Sequence, residues 1–109
     1  VQHQQLSPQT LLVGDFNACH PNYQSKQSWD RIKTHDAQDR DIPTPTRLFD
    51  SLHNLGFHSL CNATTQPFSC WSFRNVDHVC VPKNQFRGGG SALKSILSDH
   101  LPILYDIRK

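Results

Sequence analysis

The stretch TLLVGDFNACHP, Thr10 to Pro21, decides how the chain is read. Thr10-Leu11-Leu12-Val13 clusters apolar and β-branched residues without polar alternation, the mark of a short buried strand. Gly14 lets the backbone leave that strand at a sharp angle. Asp15 and Asn17 then stand at the strand's carboxyl end, where open sheets tend to hold their chemistry. Taken alone, the stretch is most economically a strand followed by an Asp/Asn turn, because both side chains bond their own backbone in turns.

Outward from there, Asn22 to Pro43 is polar and predicts a long surface loop with a short helix over Ser28–Lys33. Thr44-Pro45-Thr46 signals a helix start, with Thr44 as N-cap and Pro45 in the first turn. Leu48, Phe49, Leu52 and Leu55 follow at helical spacing as a core-facing stripe, and Gly56 supplies a left-handed cap. Phe57–Leu60 predicts a short strand. Ser69–Phe73 and Val76–Val81 predict two more, joined by a hairpin turn at Arg74-Asn75 and stopped by Pro82. Gly88-Gly89-Gly90-Ser91 lacks the Lys-Ser/Thr ending of a phosphate-cradling loop and predicts a flexible linker. Ser91–Leu97 is ambiguous, and Leu101–Ile107 closes the chain as an apolar strand. This order suits an α/β or α+β sheet with a helix on one face.

The 109 residues allow one domain with a modest core. No window is apolar enough to span a bilayer, and Val1-Gln2-His3-Gln4-Gln5 is too polar for a signal peptide, so the cytoplasm is the default compartment. The chain begins without Met, which fits a processed piece or a fragment. The net charge of +2 comes from scattered basic residues, with no run that announces a nucleic-acid binder. All nine acids are Asp, and Glu is absent. Cys19, Cys61, Cys70 and Cys80 contain no Cys-x-x-Cys pair, which argues against zinc. Cys70 and Cys80 would pair only in an oxidising compartment, and reduced, partly buried thiols are the favoured reading. Asn62-Ala63-Thr64 matches a glycosylation sequon, without meaning unless the chain is secreted.

Three polar clusters interrupt or end apolar strands: Asp15-Phe16-Asn17, Asp77-His78 in NVDHVCV, and Asp99-His100 in LSDHLPI. An acid beside an apolar strand is expensive to bury unless paired, so three of them invite a common explanation. Phosphoester hydrolysis needs these parts. A histidine held by a carboxylate binds or protonates a phosphate oxygen. A second carboxylate orients or deprotonates an attacking water, and others hold Mg²⁺. An amide donates to the same oxygens.

In this order, VGDFNA, NVDHVCV and LSDHLPI resemble the three C-terminal motifs of the endonuclease/exonuclease/phosphatase superfamily, which includes DNase I-like nucleases, abasic-site endonucleases, sphingomyelinases and inositol phosphatases. The helix RLFDSLHNLGF and the Trp-bearing SCWSF fall in the matching intervals. The resemblance implies that Asp15 positions the attacking water and that Asn17 contacts the scissile phosphate. It implies that Asp77 orients His100, that His100 contacts the phosphate, and that Asp99 is the acid at the metal. Mg²⁺ is the implied cofactor, with Mn²⁺ as the alternative. His78 falls where the family tolerates aromatics, and His20 is expected to be a solvent-exposed loop residue.

The family's domains are about twice this length, and their first half carries an Asn motif and a metal-binding Glu. The resemblance therefore implies that residues 1–109 are the C-terminal half of an α+β, DNase I-like αββα sandwich. That half would be one mostly antiparallel sheet with a helix on its outer face. The other sheet face is expected to be apolar and exposed, open to the missing N-terminal half or to a second copy in a dimer. The implied function is a Mg²⁺-dependent phosphoesterase, nuclease-like, inactive as this chain alone. The alternative is a non-catalytic interaction module that retains the fold. The implied substrate is a phosphoester, and DNA or RNA, lipid and sugar phosphates stay open.

Overall fold

A computed structural model describes residues 9–39, 46–70, 72–94 and 97–109. The elements are β1 (Leu12–Asp15), a 3-10 turn (Pro21–Tyr23), α1 (Lys26–Asp39), α2 (Arg47–Asn54), β2 (Phe57–Ser59), β3 (Asp77–Pro82), β4 (Arg87–Ala92) and β5 (Ile103–Arg108). They form a small α+β domain with two antiparallel sheets, one ordered β1-β3-β2 and the other a β4–β5 hairpin.

The pleat sorts the first sheet into two faces. Leu12 pairs with Cys80, and Ser59 also pairs with Cys80, so these residues share a face. That face packs under α2 and the 3-10 turn, where Tyr23, Phe49 and Cys80 form a buried cluster with Leu12, Phe16 and Leu52 around it. On the opposite face Val13 pairs with Val79 and Asp15 with Asp77. There Leu60, Val79 and Val81 pack against Phe86, Tyr105 and Ile107 of the hairpin region. The chain thus layers helix, sheet and hairpin.

The single expected sheet is therefore two, and the reason is Gly88–Ser91. This run is no linker: Gly88 pairs with Ile107, Gly90 with Tyr105 and Ser91 with Leu104. Glycine is depleted from strands in general, which is what makes the run look like a loop. Here it serves close approach, since a Cβ on Gly88 would overlap the Asp106 carbonyl and one on Gly90 the Gln66 side chain and the Tyr105 ring. The hairpin also covers much of the face expected to lie bare. Val79 and Val81 are buried beneath it, and exposure concentrates at the β1 edge, where Val13 is 70% accessible.

The expected loop over Asn22–Pro43 is largely a helix. Ser25 starts α1 by accepting the Ser28 amide at 3.1 Å through its hydroxyl and the Trp29 amide at 2.9 Å through its carbonyl. Among the described side chains of α1 only Ile32 and Asp36 are buried, so its apolar periodicity is faint. The N-cap assigned to Thr44 and Pro45 lies outside the described residues. Thr46 precedes α2, and its hydroxyl donates to Asp50 Oδ2 at 2.8 Å. Gly56, at φ 87°, ends the helix in the left-handed conformation as expected. The apolar stripe is only half used: Phe49 is fully buried, whereas Leu55 is 71% exposed.

The described residues of Ser69–Phe73 form no strand. Cys70 makes one antiparallel bridge to His100, and Phe73, at φ 61°, closes a turn by donating its amide to the Cys70 carbonyl at 3.1 Å. Trp71 lies outside the described residues. The expected Arg74-Asn75 hairpin turn is instead a pinned crossing. The buried Asn75 amide donates to the Tyr23 carbonyl at 2.7 Å and the Gln66 carbonyl at 2.8 Å. All four cysteines are free.

Candidate functional site

Antiparallel pairing sets Asp15, the last residue of β1, directly across from Asp77, the first of β3, on one face of the sheet. Like charges in that relation repel. His100 stands between them. Its Nδ1 is 2.7 Å from Asp77 Oδ2 and its Nε2 is 3.8 Å from Asp15 Oδ2. The ligand atoms of the three side chains all lie within 4.8 Å of one another.

Each member is held from outside the trio. The Cys70 bridge and the Leu101 amide, which donates to the Ser69 carbonyl at 2.8 Å, fix the backbone at His100. Ser69 Oγ accepts the Asp77 amide at 3.1 Å, while Gln66 Nε2 and the Tyr105 hydroxyl donate to the Asp77 carbonyl at 3.1 and 3.0 Å. Asp15 Oδ1 accepts the Asn17 amide at 2.8 Å, and Asn17 takes φ 49°. Gly14 does not end the strand as expected, because it pairs with His78 and the turn falls at Asp15–Asn17. The Asp/Asn turn and the site are thus one structure, with one Asp15 oxygen spent on the turn and the other facing His100.

The hydrogen bond to Asp77 is the main cause that raises the His100 pKa above its ordinary value; nearby Asp15 and Asp99 add to it against partial desolvation. With Nδ1–H donated to Asp77, the Nε2 atom faces Asp15 and gains a proton readily. The trio opens into a groove between β1 and β5, walled by Val13, Val79, Ile103 and Tyr105.

The candidate residues are not equally gathered. Asp15, Asp77 and His100 converge. Asn17 is exposed at the turn beside Asp15, and its contact to the trio is through its own amide. Asp99 is exposed, lies 3.4 Å from the Ser98 hydroxyl, and stands outside the converging trio. Tyr105, Gln66 and Ser69, which hold Asp77, carry no signal in the sequence, since each acts through a backbone atom of a residue distant in the chain.

His78 is buried and neutral. Burial pushes its pKa down to about 4, Ser59 Oγ lies 2.6 Å from Nδ1, and Nε2 donates to the Asn75 carbonyl at 2.8 Å. His20 corrects the expectation of an exposed loop residue, being only 8% accessible. It forms a second compact group with Asp50 and His53. The Asn22 amide donates to His20 Nδ1 at 3.1 Å, so Nε2 carries the proton and donates to Asp50 Oδ1 at 3.0 Å. The Tyr23 hydroxyl accepts the Ser59 amide at 2.9 Å and therefore donates to His53 Nε2 at 2.7 Å. These bonds use the His20 Nδ1 and His53 Nε2 lone pairs, so the group is a structural network rather than a set of metal ligands.

Compared with family models, characterised proteins and solved structures, the chain has no significant match.

Proposed function

We propose that this chain contributes one wall of the active site of a metal-dependent phosphoester hydrolase. The observation that carries the reading is the convergence of Asp15, Asp77 and His100. Two carboxylates directly opposed across a sheet, bridged by an imidazole whose basicity they raise, make a cationic donor beside an anionic acceptor. That pairing suits a phosphate oxygen and an attacking water at one phosphorus.

In this mechanism Asp77 holds Nδ1–H of His100, fixes its tautomer and favours the imidazolium. His100 Nε2–H then donates to a phosphate oxygen. Asp15 accepts a proton from the attacking water as the new P–O bond forms and the ester P–O bond opposite it breaks, the leaving alkoxide taking its proton from solvent; the turn to Asn17 keeps the carboxylate aimed into the groove. The Asn17 side chain donates to the same phosphate. A hard divalent cation draws mainly on carboxylate oxygens and usually takes one or two from protein. With Asp77 engaged by His100 and Asp99 standing outside the trio, Asp15 would supply the carboxylate oxygen that the trio offers Mg²⁺ or Mn²⁺, so these residues fit the cation only as a partial set. A cation held there would supply charge neutralisation in the transition state.

The three-stranded sheet with α2 on its outer face supports this reading, whereas the hairpin stacked on the inner face is not part of the expected half-sandwich. The completing half would bring the Glu that this sequence lacks. The test is hydrolysis of bis(p-nitrophenyl) phosphate in Mg²⁺ against EDTA. The 109-residue chain is expected to be inactive, and the longer protein containing it active. His100→Ala or Asp15→Ala is expected to abolish that activity, and full activity in either variant overturns the reading.

A further inference from the structure

Beside the trio lies an aromatic feature that hydrolysis itself does not use. Phe73 is 42% exposed and takes φ 61°, a conformation that bulky residues rarely adopt. Its carbonyl is held by Ser28 Oγ at 3.0 Å and Gln24 Nε2 at 3.2 Å. The next residue, Arg74, is clamped to buried Asp36, with Nη1 to Oδ2 at 3.2 Å. The strained turn is thus secured from α1 while its ring stays half in solvent. The Phe68 ring packs edge-on at 5.3 Å, and the Arg31 guanidinium lies 4.5 Å from the Phe73 ring centroid.

The feature sits at the active end of the sheet. The loop from Cys70 to Val76 runs past the end of β1, where the Phe16 amide donates to the Val76 carbonyl at 2.7 Å. Cys70 bridges to His100, and Phe73 closes the turn that begins at Cys70. A bridge followed by a tight turn places the Phe73 backbone within about 12 Å of His100. That span lies within a few nucleotides along a strand held at the trio.

Resting on the phosphoesterase reading of the trio, we propose that Phe73 and Arg31 form a stacking platform for an unpaired base, so that the substrate is a single-stranded or locally opened polynucleotide. A planar guanidinium on an aromatic ring presents a second stacking plane, with donors at its edge for a phosphate. Arg31 also borders a groove along α1 that carries Gln27, Thr34 and Gln38, polar groups of the kind that bond base edges. A lipid surface is the less suited ligand, because the groove beside Arg31 is lined by Gln27, Asp30, Thr34, His35 and Gln38, with no apolar side chain to enter a bilayer.

The test is fluorescence anisotropy of the chain with a labelled single-stranded DNA of about 12 nucleotides in EDTA, where no hydrolysis intervenes. Phe73→Ala is expected to weaken binding about tenfold and Arg31→Gln severalfold, while Phe73→Trp retains it. An oligonucleotide of the same length with abasic sites is expected to bind weakly and to be indifferent to Phe73→Ala. Absence of binding by the unsubstituted chain overturns the proposal. Unchanged affinity in Phe73→Ala and Arg31→Gln does so as well, as does binding to phosphatidylglycerol vesicles in place of DNA. Bis(p-nitrophenyl) phosphate needs no platform, so the two readings separate. Hydrolysis with variant-indifferent DNA binding leaves the phosphoesterase standing and removes the platform. Platform-dependent binding without hydrolysis in the longer protein does the reverse.

Discussion

His100 Nδ1 lies 2.7 Å from Asp77 Oδ2, while its Nε2 faces Asp15 Oδ2 at 3.8 Å, so one imidazole spans two opposed carboxylates. Removing the nearer charge separates the roles. Asp77→Asn is expected to bring the raised His100 pKa back toward about 6.5, read by histidine NMR titration. Because the folded pKa lies above the unfolded one, this group's stabilisation is complete below about pH 6.5 and is lost as pH rises through the folded pKa. Asp77→Asn should flatten that alkaline decline. In the hydrolase proposed above, completed by its other half, the variant is expected to lose about 10²–10⁴ in rate, with the alkaline limb of the profile moved to lower pH. An unmoved His100 titration would show that Asp77 does not govern it.

His78 has the opposite sign. Its folded pKa of about 4 lies below the unfolded value, so no penalty exists above about pH 6.5. As pH falls from there toward 4, the unfolded chain takes up a proton that the buried ring refuses, and stability drops by roughly 3 kcal/mol. His78→Gln should be less stable at neutral pH, since the bonds to Ser59 and Asn75 are disturbed, yet show a shallower acid decline. Urea midpoints at neutral and mildly acidic pH provide the check.

How far the site was legible follows from these same residues. Asp15, Asp77 and His100 each interrupt an apolar run, a local signal that a sequence displays, and their convergence follows from ordinary antiparallel register. What holds them is not local. Ser69 and Gln66 secure Asp77 from across the fold, and neither sits in a distinctive pattern. The fold divides along similar lines. Phe49 and the Gly56 cap announce α2, whereas α1 is polar on most sides and is held by the pair of Asp36 and Arg74 from a distant loop. The β4 strand escaped because a glycine run has little strand propensity of its own, and its reason for being glycine lies in Asp106, Gln66 and Tyr105.

The Asp36–Arg74 pair predicts a large stability effect. Asp36 is fully buried, and the Arg74 side chain is 15% exposed. Breaking such a pair from one side strands a charge and costs roughly 3–5 kcal/mol. Asp36→Ala should therefore lower the unfolding free energy by about that amount and loosen the Phe73 turn. Asp36→Leu combined with Arg74→Leu should recover much of the loss, since two apolar groups leave no orphaned charge. A double variant less stable than Asp36→Ala would indicate that the pair contributes net stabilisation of its own.

The glycines of β4 provide the sharpest test of the two-sheet architecture. Gly88 takes φ 147°, and a Cβ there would collide with the Asp106 carbonyl, a backbone atom that cannot swing aside. Gly88→Ala must therefore strain the pairing with Ile107 or shift the hairpin. The conformational cost alone is about 1–3 kcal/mol. Gly89, one residue on, has only ordinary contacts near its Cβ position, the nearest being Asn62 Cβ at 3.9 Å. Gly89→Ala is expected to be close to neutral, within about 1 kcal/mol, because the lost backbone freedom of the unfolded chain works in its favour. Amide exchange locates the effect. In Gly88→Ala, protection should fall across β4 and β5 and at Val79 and Val81 beneath them, while Phe49 and α2 keep theirs. If Gly88–Ser91 were a mobile linker, both substitutions would be silent and the protection pattern unchanged.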